Sequence, residues 1–481
     1  MKLSCLAEGY DVVLNGLKDL NEDVIGIEFD SRKIKEGFMF VAIVGYKTDG
    51  HRFIDSAIDR GAKVVVHQRE LDEYRNDITY VRCENTRNAL AYFAGRFYEN
   101  PSSDIKLIGI SGTNGKTSFC DMAVSLFDAL GKKTDYIGTL GRKNTVLEGQ
   151  IIRTTPEITE LNSDFRQMAD ENTDYCFLEV SSHGLVLDRV SYLDFYVAVF
   201  SNLSQDHLDF HKTMEEYYQA KKKLYYMARE YCLINTDDRW GKRLYTELRA
   251  DGVKAYSFGE NPDADYRLAV RDMSLKGSSF DIVHEGKTCS FKINTIGKFN
   301  IFNTLPAAII ALREGFSEKD IRKALLKHTG TNGRMERVTD DAFIDYAHSP
   351  DAMENVLKLL KEASDRKIVC IFGCGGDRDR DKRPKMGRMA EKYADRIVIT
   401  MDNPRSENND DIMDEILKGI EDRSKVSVIS DRSTAIRENV INRKDDEVII
   451  VLGKGHETYQ EIGNEKFYFS DRDEILKASE A

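Results

Sequence analysis

Proline is scarce in this chain, with 7 in 481 residues, and tryptophan occurs once. So little proline leaves no room for a polyproline segment or a Pro-rich linker, and compact domains with short connections are expected. No apolar run approaches the ~18 residues of a membrane-spanning helix, so membrane insertion is not expected. Basic excess is missing as well. The formal net charge of −12 argues against a nucleic-acid partner, whose phosphates demand a basic face. It leaves open a small anionic ligand, which needs only a local cationic pocket. The 8 cysteines form no C-x-x-C pair. That speaks against a zinc ribbon or a disulfide framework, and reduced thiols in a cytoplasmic protein are expected. The opening residues, MKLSCLAEGYDVVL, carry acidic side chains early and no long apolar core, unlike a signal peptide.

What the chain has is length and one organising stretch. Its size leads us to expect about three domains, and 41% hydrophobic with 32% charged residues is the balance of a globular protein. An apolar run over 105–110 ends in Gly112-Thr113-Asn114-Gly115-Lys116-Thr117-Ser118 and opens into a helical pattern, DMAVSLFDAL. Strand, glycine loop and helix together read as a phosphate-binding loop. Glycines let N–H groups face an anion, and the new helix points its positive end there. Lys116 can reach the β- and γ-phosphates of a nucleotide, and the Thr117 hydroxyl can sit on Mg2+. The strict G-x-x-x-x-G-K-[ST] spacing would need glycine where Ile110 stands. A glycine turn that holds no nucleotide is the alternative.

The fold class expected is α/β throughout. Residues 1–103 read as a small N-terminal α/β domain with strands near 24–29, 38–43 and 63–67. On residue type alone, its Asp30-Ser31-Arg32 triplet is a solvated turn. Turn formers over 99–104 mark a linker. The central domain, 104–332, alternates apolar runs (105–110, 175–180, 196–200, 231–235) with helical stretches, as a mostly parallel sheet flanked by helices requires. Within it, Arg153-Thr154-Thr155-Pro156-Glu157 offers two hydroxyls that could simply cap the next helix. Glu179 closes an apolar strand at the sheet edge where ligands of open α/β sheets bind, and can complete a Mg2+ shell opposite the phosphate loop. A structural ion pair with Arg189 is its alternative. His207 can bind a cation through neutral imidazole. With His211 it forms H-x-x-x-H, a zinc pair to be weighed, although no glutamate base lies between. Lys221, Lys222 and Lys223 alone read as a solvated helix face.

The segment 253–293 reads as irregular inserted strands. Asn300 and Asn303 share a helix face, where amides suit the edge of adenine, with helix capping the competing role for Asn300. The third domain, 333–481, shows strands near 367–372, 396–400, 426–429 and 447–451, a second, Rossmann-like sheet. Loops carrying Arg378, Asp402-Asn403-Pro404-Arg405 and Gly453-Lys454-Gly455-His456-Glu457 follow strand ends and should line one crevice.

In chain order, DSR, GTNGKT, TTPE, EVSSHGL, DHLD with a following AK, GRME, DYAH, GDRD, DNPR and GKGHE resemble the motifs of the Mur ligases. These are ATP-dependent enzymes that form peptide bonds in bacterial wall precursors, and the likeness is to the branch that adds the third peptide residue. The resemblance covers essentially the whole chain. It implies that meso-2,6-diaminopimelate is joined to the D-glutamate γ-carboxylate of UDP-MurNAc-L-Ala-D-Glu through an acyl phosphate. ATP and Mg2+ are the implied cofactors, the partners are small molecules only, and a cytoplasmic monomer is expected.

On that resemblance Ser31, with residues 44–48, would meet the uridine end of the substrate. Thr154, Thr155, Ser181 and Arg189 would hold the muramoyl-peptide; this chain has Arg153 where the family usually has asparagine. Gly112, Thr113, Asn114, Gly115, Lys116, Thr117, Ser118, Asn300, Asn303, Arg334 and Asp345 would bind ATP, with His348 beside them. Thr117, Glu179, His207 and a Lys221 carbamylated by CO2 would hold Mg2+. Lys116, Glu179, His207 and Lys221 would be catalytic. Arg378, Asp402, Asn403, Pro404, Arg405, Gly453 and Glu457 would bind diaminopimelate. L-Lysine or another amino acid, a folylpolyglutamate, and a non-catalytic nucleotide-binding homologue are the rival expectations. The DSR domain speaks against folate and DNPR against lysine.

Overall fold

Short apolar runs separated by helices become parallel strands, because a crossover helix is what returns the chain to run in the same direction. The computed structural model describes residues 1–45, 48–144 and 153–480. They form two compact units, Met1–Tyr266 and Arg267–Ala481.

In the first unit an N-terminal sheet has the order Val13–Gly16, Thr79–Arg82, Ala62–His67, Phe38–Val41, Gly26–Glu28. Its first pair is antiparallel and the rest are parallel. Val13–Gly16 and Thr79–Arg82 went unanticipated because four residues are too few to show a period. One sheet face buries Phe40 and Val65 under Ile54 and Ile58. The other shares a continuous core with the central sheet, where Val64 and Phe93 belong to the same cluster as Leu107, Phe165 and Phe195. The expected linker is a pinned corner. Glu99 and Asn100 take φ of 62° and 49°, Pro101 and Ser102 are buried, and the Asp194 amide donates to Ser102 Oγ at 3.0 Å.

The central sheet of this unit runs Ala255–Gly259, Ala228–Asn235, Phe195–Phe200, Lys106–Ser111, Tyr175–Glu179, Thr134–Gly138, Gly141–Asn144. All neighbours are parallel except the last hairpin. Register pairs Ser111 with Phe200 and Ile110 with Glu179, so the carboxyl ends of these strands share one edge.

The segment 253–293 is regular, not irregular as expected. After the parallel strand Ala255–Gly259 come Tyr266–Ser274, Gly277–His284 and Lys287–Ile293 in antiparallel meander. Its second turn has positive φ at both Glu285 (48°) and Gly286 (76°), the mirror-image turn that matches strand twist. In the rest of the second unit, a sheet has the order Glu336–Arg337, Ala342–Asp345, Glu447–Leu452, Lys367–Phe372, Arg396–Ile399, Val426–Val428, parallel apart from its first pair. Helices cover both faces, with Leu357, Met386 and Ile416 on one side and Ile436 and Ile475 on the other. Among the described residues no helix is long and apolar enough to cross a membrane.

Candidate active site

The phosphate loop turns into helix Lys116–Ala129 at Gly115, whose φ of 90° would strain any L side chain. The loop following Phe195–Phe200 grips it. The Asn202 carbonyl accepts from the Thr113 amide at 2.9 Å, Asn202 Oδ1 accepts from the Asn114 amide at 3.0 Å, and Ser201 Oγ donates to the Asn114 carbonyl at 2.7 Å. Lys116 folds back, its ammonium donating to the Gly112 and Thr113 carbonyls at 2.9 Å each. Thr117 and Ser118 are half-buried in the first helical turn, where leading amides favour an anion.

Glu179 is fully buried at the same sheet edge. It accepts from the Tyr136 hydroxyl and from the amide and hydroxyl of Thr139 at 3.0 and 3.1 Å. Burial, then the Glu179 charge, pushes the Tyr136 phenol far up, so it stays a donor. The alternative ion pair with Arg189 is not formed, because Glu157 at the entrance of helix Ile158–Asp170 takes that arginine at 3.0 Å. Arg189 also donates to the Thr155 carbonyl at 3.2 Å. The threonines do not cap that helix. Thr155 is buried, donating to the Glu179 carbonyl at 2.9 Å and lying 3.0 Å from Ser181 Oγ. Thr154 is half-buried, 3.3 Å from the Thr139 hydroxyl. Ser181 caps helix Ser182–Val186 through the Gly184 amide. Arg153 is exposed, 3.7 Å from Glu157.

His207 sits at φ 52° with an exposed ring, 3.5 Å from Asp206. His211 is buried, its Nε2 set 2.8 Å from Ser182 Oγ. A zinc pair therefore gains no support, since that nitrogen is already committed. Among the described residues no three His, Cys, Asp or Glu side chains converge to hold a metal ion.

Lys221 is 2% exposed and donates to the Gly112 carbonyl at 2.9 Å and to Ser111 Oγ at 3.3 Å. Burial first, then the charge of Lys116, holds its amine well below the usual lysine range. Lys222 differs: its bond to Glu247, at 2.8 Å, raises it, and Lys223 is exposed. The solvated-face reading thus holds for Lys223, in part for Lys222, and not for Lys221.

Tyr217, Tyr136 and Thr139 belong to this corner and were missed. Tyr217 lies with its ring 4.8 Å from the Lys221 amine and its hydroxyl 3.4 Å from Thr113 Oγ1. Its i, i+4 spacing to Lys221 was the available signal.

In the N-terminal sheet Asp30 caps the turn Ser31–Lys33, and Arg32 folds back on it at 2.7 Å. The Arg32 bond lowers Asp30 to about 2. Ser31 itself is buried. Residues 46 and 47 of the expected uridine segment lie outside the described residues. Val44 lines a cavity of about 560 Å3 together with Tyr10, Gln68, Asn85, Arg87 and Asn88.

In the second unit Asn300 is buried and its amide donates to the Ile296 carbonyl at 2.9 Å; Asn303 is half-buried one turn on. Asp345 accepts from the Met335 and Ala347 amides at 2.6 and 2.7 Å. Burial pushes its carboxyl up against the pull of Arg334. Arg334 stacks 5.0 Å from the Tyr346 ring, and exposed His348 reaches the Tyr346 carbonyl at 2.9 Å.

The three loops at the carboxyl edge of the C-terminal sheet do meet. Gly453 has φ 114°, and a Cβ there would fall 2.4 Å from Asp402 Oδ2. Asn403 donates to Glu457 Oε2 at 3.0 Å. Arg405, following Pro404 and with φ 50°, donates from Nε to Glu461 at 3.0 Å and from Nη1 to the Gly376 carbonyl at 2.7 Å. Arg378 is exposed, its Cγ 3.9 Å from where a Cβ on Gly375 would stand. Two fully buried arginines that the sequence reading passed over hold the loops. Arg383 reaches Glu407, Glu415 and the Gly375 carbonyl. Arg432 pairs with Asp471 at 2.7 Å and donates to the Leu452 and Met401 carbonyls.

Known proteins align with this arrangement along the whole chain. Family models match in order: "Mur ligase family, catalytic domain" over residues 23–98, "Mur ligase middle domain" over 110–311, and "Mur ligase, glutamate ligase domain" over 333–455. UDP-N-acetylmuramoyl-L-alanyl-D-glutamate--2,6-diaminopimelate ligase 1 of Clostridium acetobutylicum is 40% identical over 95% of this chain and 94% of its own. The ligase of that name from Caldanaerobacter subterraneus is 40% identical over 100% of both. A solved structure of a ligase so named superposes with TM-score 0.78 at 30% identity, covering 100% of this chain and 99% of that one. A MurF ligase from Thermotoga maritima in complex with ADP, at TM-score 0.58 and 17% identity, shares the fold.

Proposed function

The chain belongs to the Mur ligase family, and on that premise we propose that it joins meso-2,6-diaminopimelate to UDP-N-acetylmuramoyl-L-alanyl-D-glutamate, converting ATP to ADP and phosphate. The observation that carries this reading is the full-length likeness, at 40% identity, to ligases named for those substrates. Residues 1–103 take the nucleotide end of the substrate, 104–332 the ATP, and 333–481 the amino acid. The enzyme works as a cytoplasmic monomer on small molecules alone.

The D-glutamate γ-carboxylate attacks the γ-phosphorus of ATP and ADP leaves. The diaminopimelate amine then attacks the acyl carbon, and phosphate and a proton depart. Lys116 and the loop amides offset the phosphate charge that otherwise repels the attacking carboxylate. Arg189, Ser181 and Thr154 orient the muramoyl-peptide, with Thr155 bracing Ser181 from behind. The cavity beside Val44 suits the uridine end. Asn303 faces adenine, and Asn300 supports the start of its helix. Arg405 and Arg378 meet the carboxylates of the amino acid, and Asp402 and Glu457 its ammonium.

The residues present fit Mg2+. Glu179 and Thr117 offer hard oxygen donors, and the His207 imidazole would add a borderline nitrogen donor. Among the described residues too few converge for an all-protein cage, as suits an ion that takes waters and nucleotide phosphates as its remaining ligands. When bound there, Mg2+ supplies positive charge to the transferring phosphoryl group. Lys221 as an ammonium would repel the ion. Burial holds its amine well below the usual lysine range, which favours the neutral form that adds CO2. The Nζ–C bond forms, one proton leaves to solvent, and a carboxylate-like group remains.

Phosphate release from ATP tests the reading. It is expected only when the UDP-muramoyl-dipeptide and diaminopimelate are both present. Full release without the amino acid, or equal kcat/KM with L-lysine, overturns it.

A further inference from the structure

Within the GKGHE loop the Lys454 side chain has no part in the function proposed above. Lys454 is wholly withdrawn from water, with 0% of its side chain exposed. Its ammonium donates to Asn403 Oδ1 at 3.0 Å and to Glu457 Oε2 at 3.3 Å, and lies 5.5 Å from the Tyr459 ring centre. A buried ammonium is costly, and an apolar side chain of like volume usually serves stability as well or better. What its partners do should therefore explain it.

Both partners stand at the crevice. Asn403 and Lys454 converge on one oxygen of Glu457, Oε2, which leaves Oε1 to a ligand. The Asn403 amide cannot turn over, because its oxygen meets a cation and its nitrogen a carboxylate. Held so, Asn403 Oδ1 also accepts from the Glu461 amide at 2.9 Å. Glu461 in turn accepts from Arg405 Nε at 3.0 Å, and its carbonyl accepts from the Arg405 amide at 3.1 Å. One hydrogen-bonded chain thus runs from Lys454 through Asn403 and Glu461 to Arg405, with Glu457 as a branch. Opposite charges are held apart in fixed places on one wall.

We propose that Lys454 is a positioning residue for the amino-acid substrate, orienting Glu457 toward the ligand's ammonium and, through Asn403 and Glu461, Arg405 toward its carboxylate. The proposal rests on the reading of this crevice as the amino-acid site. It makes a diamino dicarboxylate the ligand class whose recognition depends on Lys454, with ATP and the nucleotide substrate indifferent to it.

The test is steady-state kinetics of Lys454→Met, Glu457→Gln and the double variant, each substrate varied in turn. In Lys454→Met the KM for diaminopimelate is expected to rise at least ~10-fold while those for ATP and the UDP-muramoyl-dipeptide stay within about 2-fold. The two substitutions should be non-additive, Lys454→Met adding little once Glu457 is neutral. A KM for diaminopimelate that does not move, all three KM values rising together, or fully additive effects would overturn the role of Lys454. If Glu457→Gln alone leaves the KM for diaminopimelate unchanged, the reading of the crevice fails and the proposal with it. If Glu457→Gln raises it and Lys454→Met does nothing, only the proposal fails. Should Lys454→Met not fold, Lys454→Gln, which keeps an N–H donor, takes its place in the cycle. Failure of both to fold marks Lys454 as a folding residue and ends the proposal.

Discussion

Lys221 and Lys454 are both buried, one in each unit, and the protein treats them in opposite ways. Lys221 donates to a carbonyl and a hydroxyl, with Lys116 donating to that same Gly112 carbonyl. Lys454 has a carboxylate. In a low-dielectric site a charge either finds a counter-charge or is given up. The first unit therefore holds beside the phosphate loop an amine that burial keeps well below the usual lysine range. The second stores a fixed pattern of charge. On the function proposed above, chemistry would sit where charge is withheld, and selectivity where charge is paired.

The comparison breaks most visibly at Lys221. Lys221→Ala is expected to abolish turnover while the nucleotide substrate still binds, and short-chain carboxylic acids should restore part of the rate. Full activity of the variant in CO2-free buffer would sink the carbamate. The sign of the pH effect follows from the two neighbouring lysines. Only an unprotonated amine adds CO2. Lys221 is lowered by burial, whereas Lys222 is raised by Glu247 and stays protonated. Labelled CO2 at neutral pH should therefore appear on Lys221 and not on Lys222, as read by peptide mass or carbon NMR.

Lys116→Ala comes next. The loop's other side chains carry no positive charge, so formation of the acyl phosphate should slow by at least ~100-fold. An unchanged rate would remove the loop from the mechanism. The same variant sharpens the contrast between lysines. Without the Lys116 charge the second cause lowering Lys221 is gone while burial remains, so its amine should shift upward toward the usual lysine range.

Much of the first corner was legible in the sequence, because its chemistry lies in short runs. Gly115-Lys116-Thr117 announces itself by spacing, and Glu179 by closing an apolar strand. Its supports were not legible. Tyr136 and Thr139 come from Thr134–Gly138 and the turn after it, where TDYIG mixes polar and apolar residues without a clear period. The second corner was legible only as a set of loops. Lys454 meets Asn403 from 51 positions away in sequence, and no local pattern encodes such a pairing. Likewise the choice of Glu157 over Glu179 by Arg189 depends on how helix Ile158–Asp170 enters, a tertiary fact.

Arg405 tests the paired side of the comparison. An arginine left unpaired by lysine in place of diaminopimelate would cost about 2–5 kcal/mol. Glu461, at 3.0 Å, keeps Arg405 partnered whichever amino acid is bound. The lower end should then apply, a preference of roughly 30-fold, or about 2 kcal/mol. Arg405→Ala should lose most of that preference by lowering kcat/KM for diaminopimelate, with little change for lysine. Equal losses for both substrates would separate Arg405 from selectivity.

The smallest effect is expected where pairing is loosest, at the mouth of the first corner. Glu157 is shared by two arginines. Arg189 approaches to 3.0 Å with 11% of its side chain exposed, whereas Arg153 stays 3.7 Å away with 47% exposed. Water screens the second pair, and exposed pairs of this kind contribute about 0–1 kcal/mol. Arg153→Ala should therefore leave stability nearly unchanged and shift the KM for the UDP-muramoyl-dipeptide by no more than about 3-fold, the measure of a rim charge that steers without docking. Arg189→Ala should raise that KM by ~10-fold or more, since it removes a desolvated charge and leaves Glu157 facing the distant Arg153. Arg153 stands next to the threonines of the site, so sequence proximity alone would rank it beside them. If Arg153→Ala proves as harmful as Arg189→Ala, burial is the wrong measure of which cation here holds the substrate. The departure from asparagine at this position would then be a specific contact of this chain.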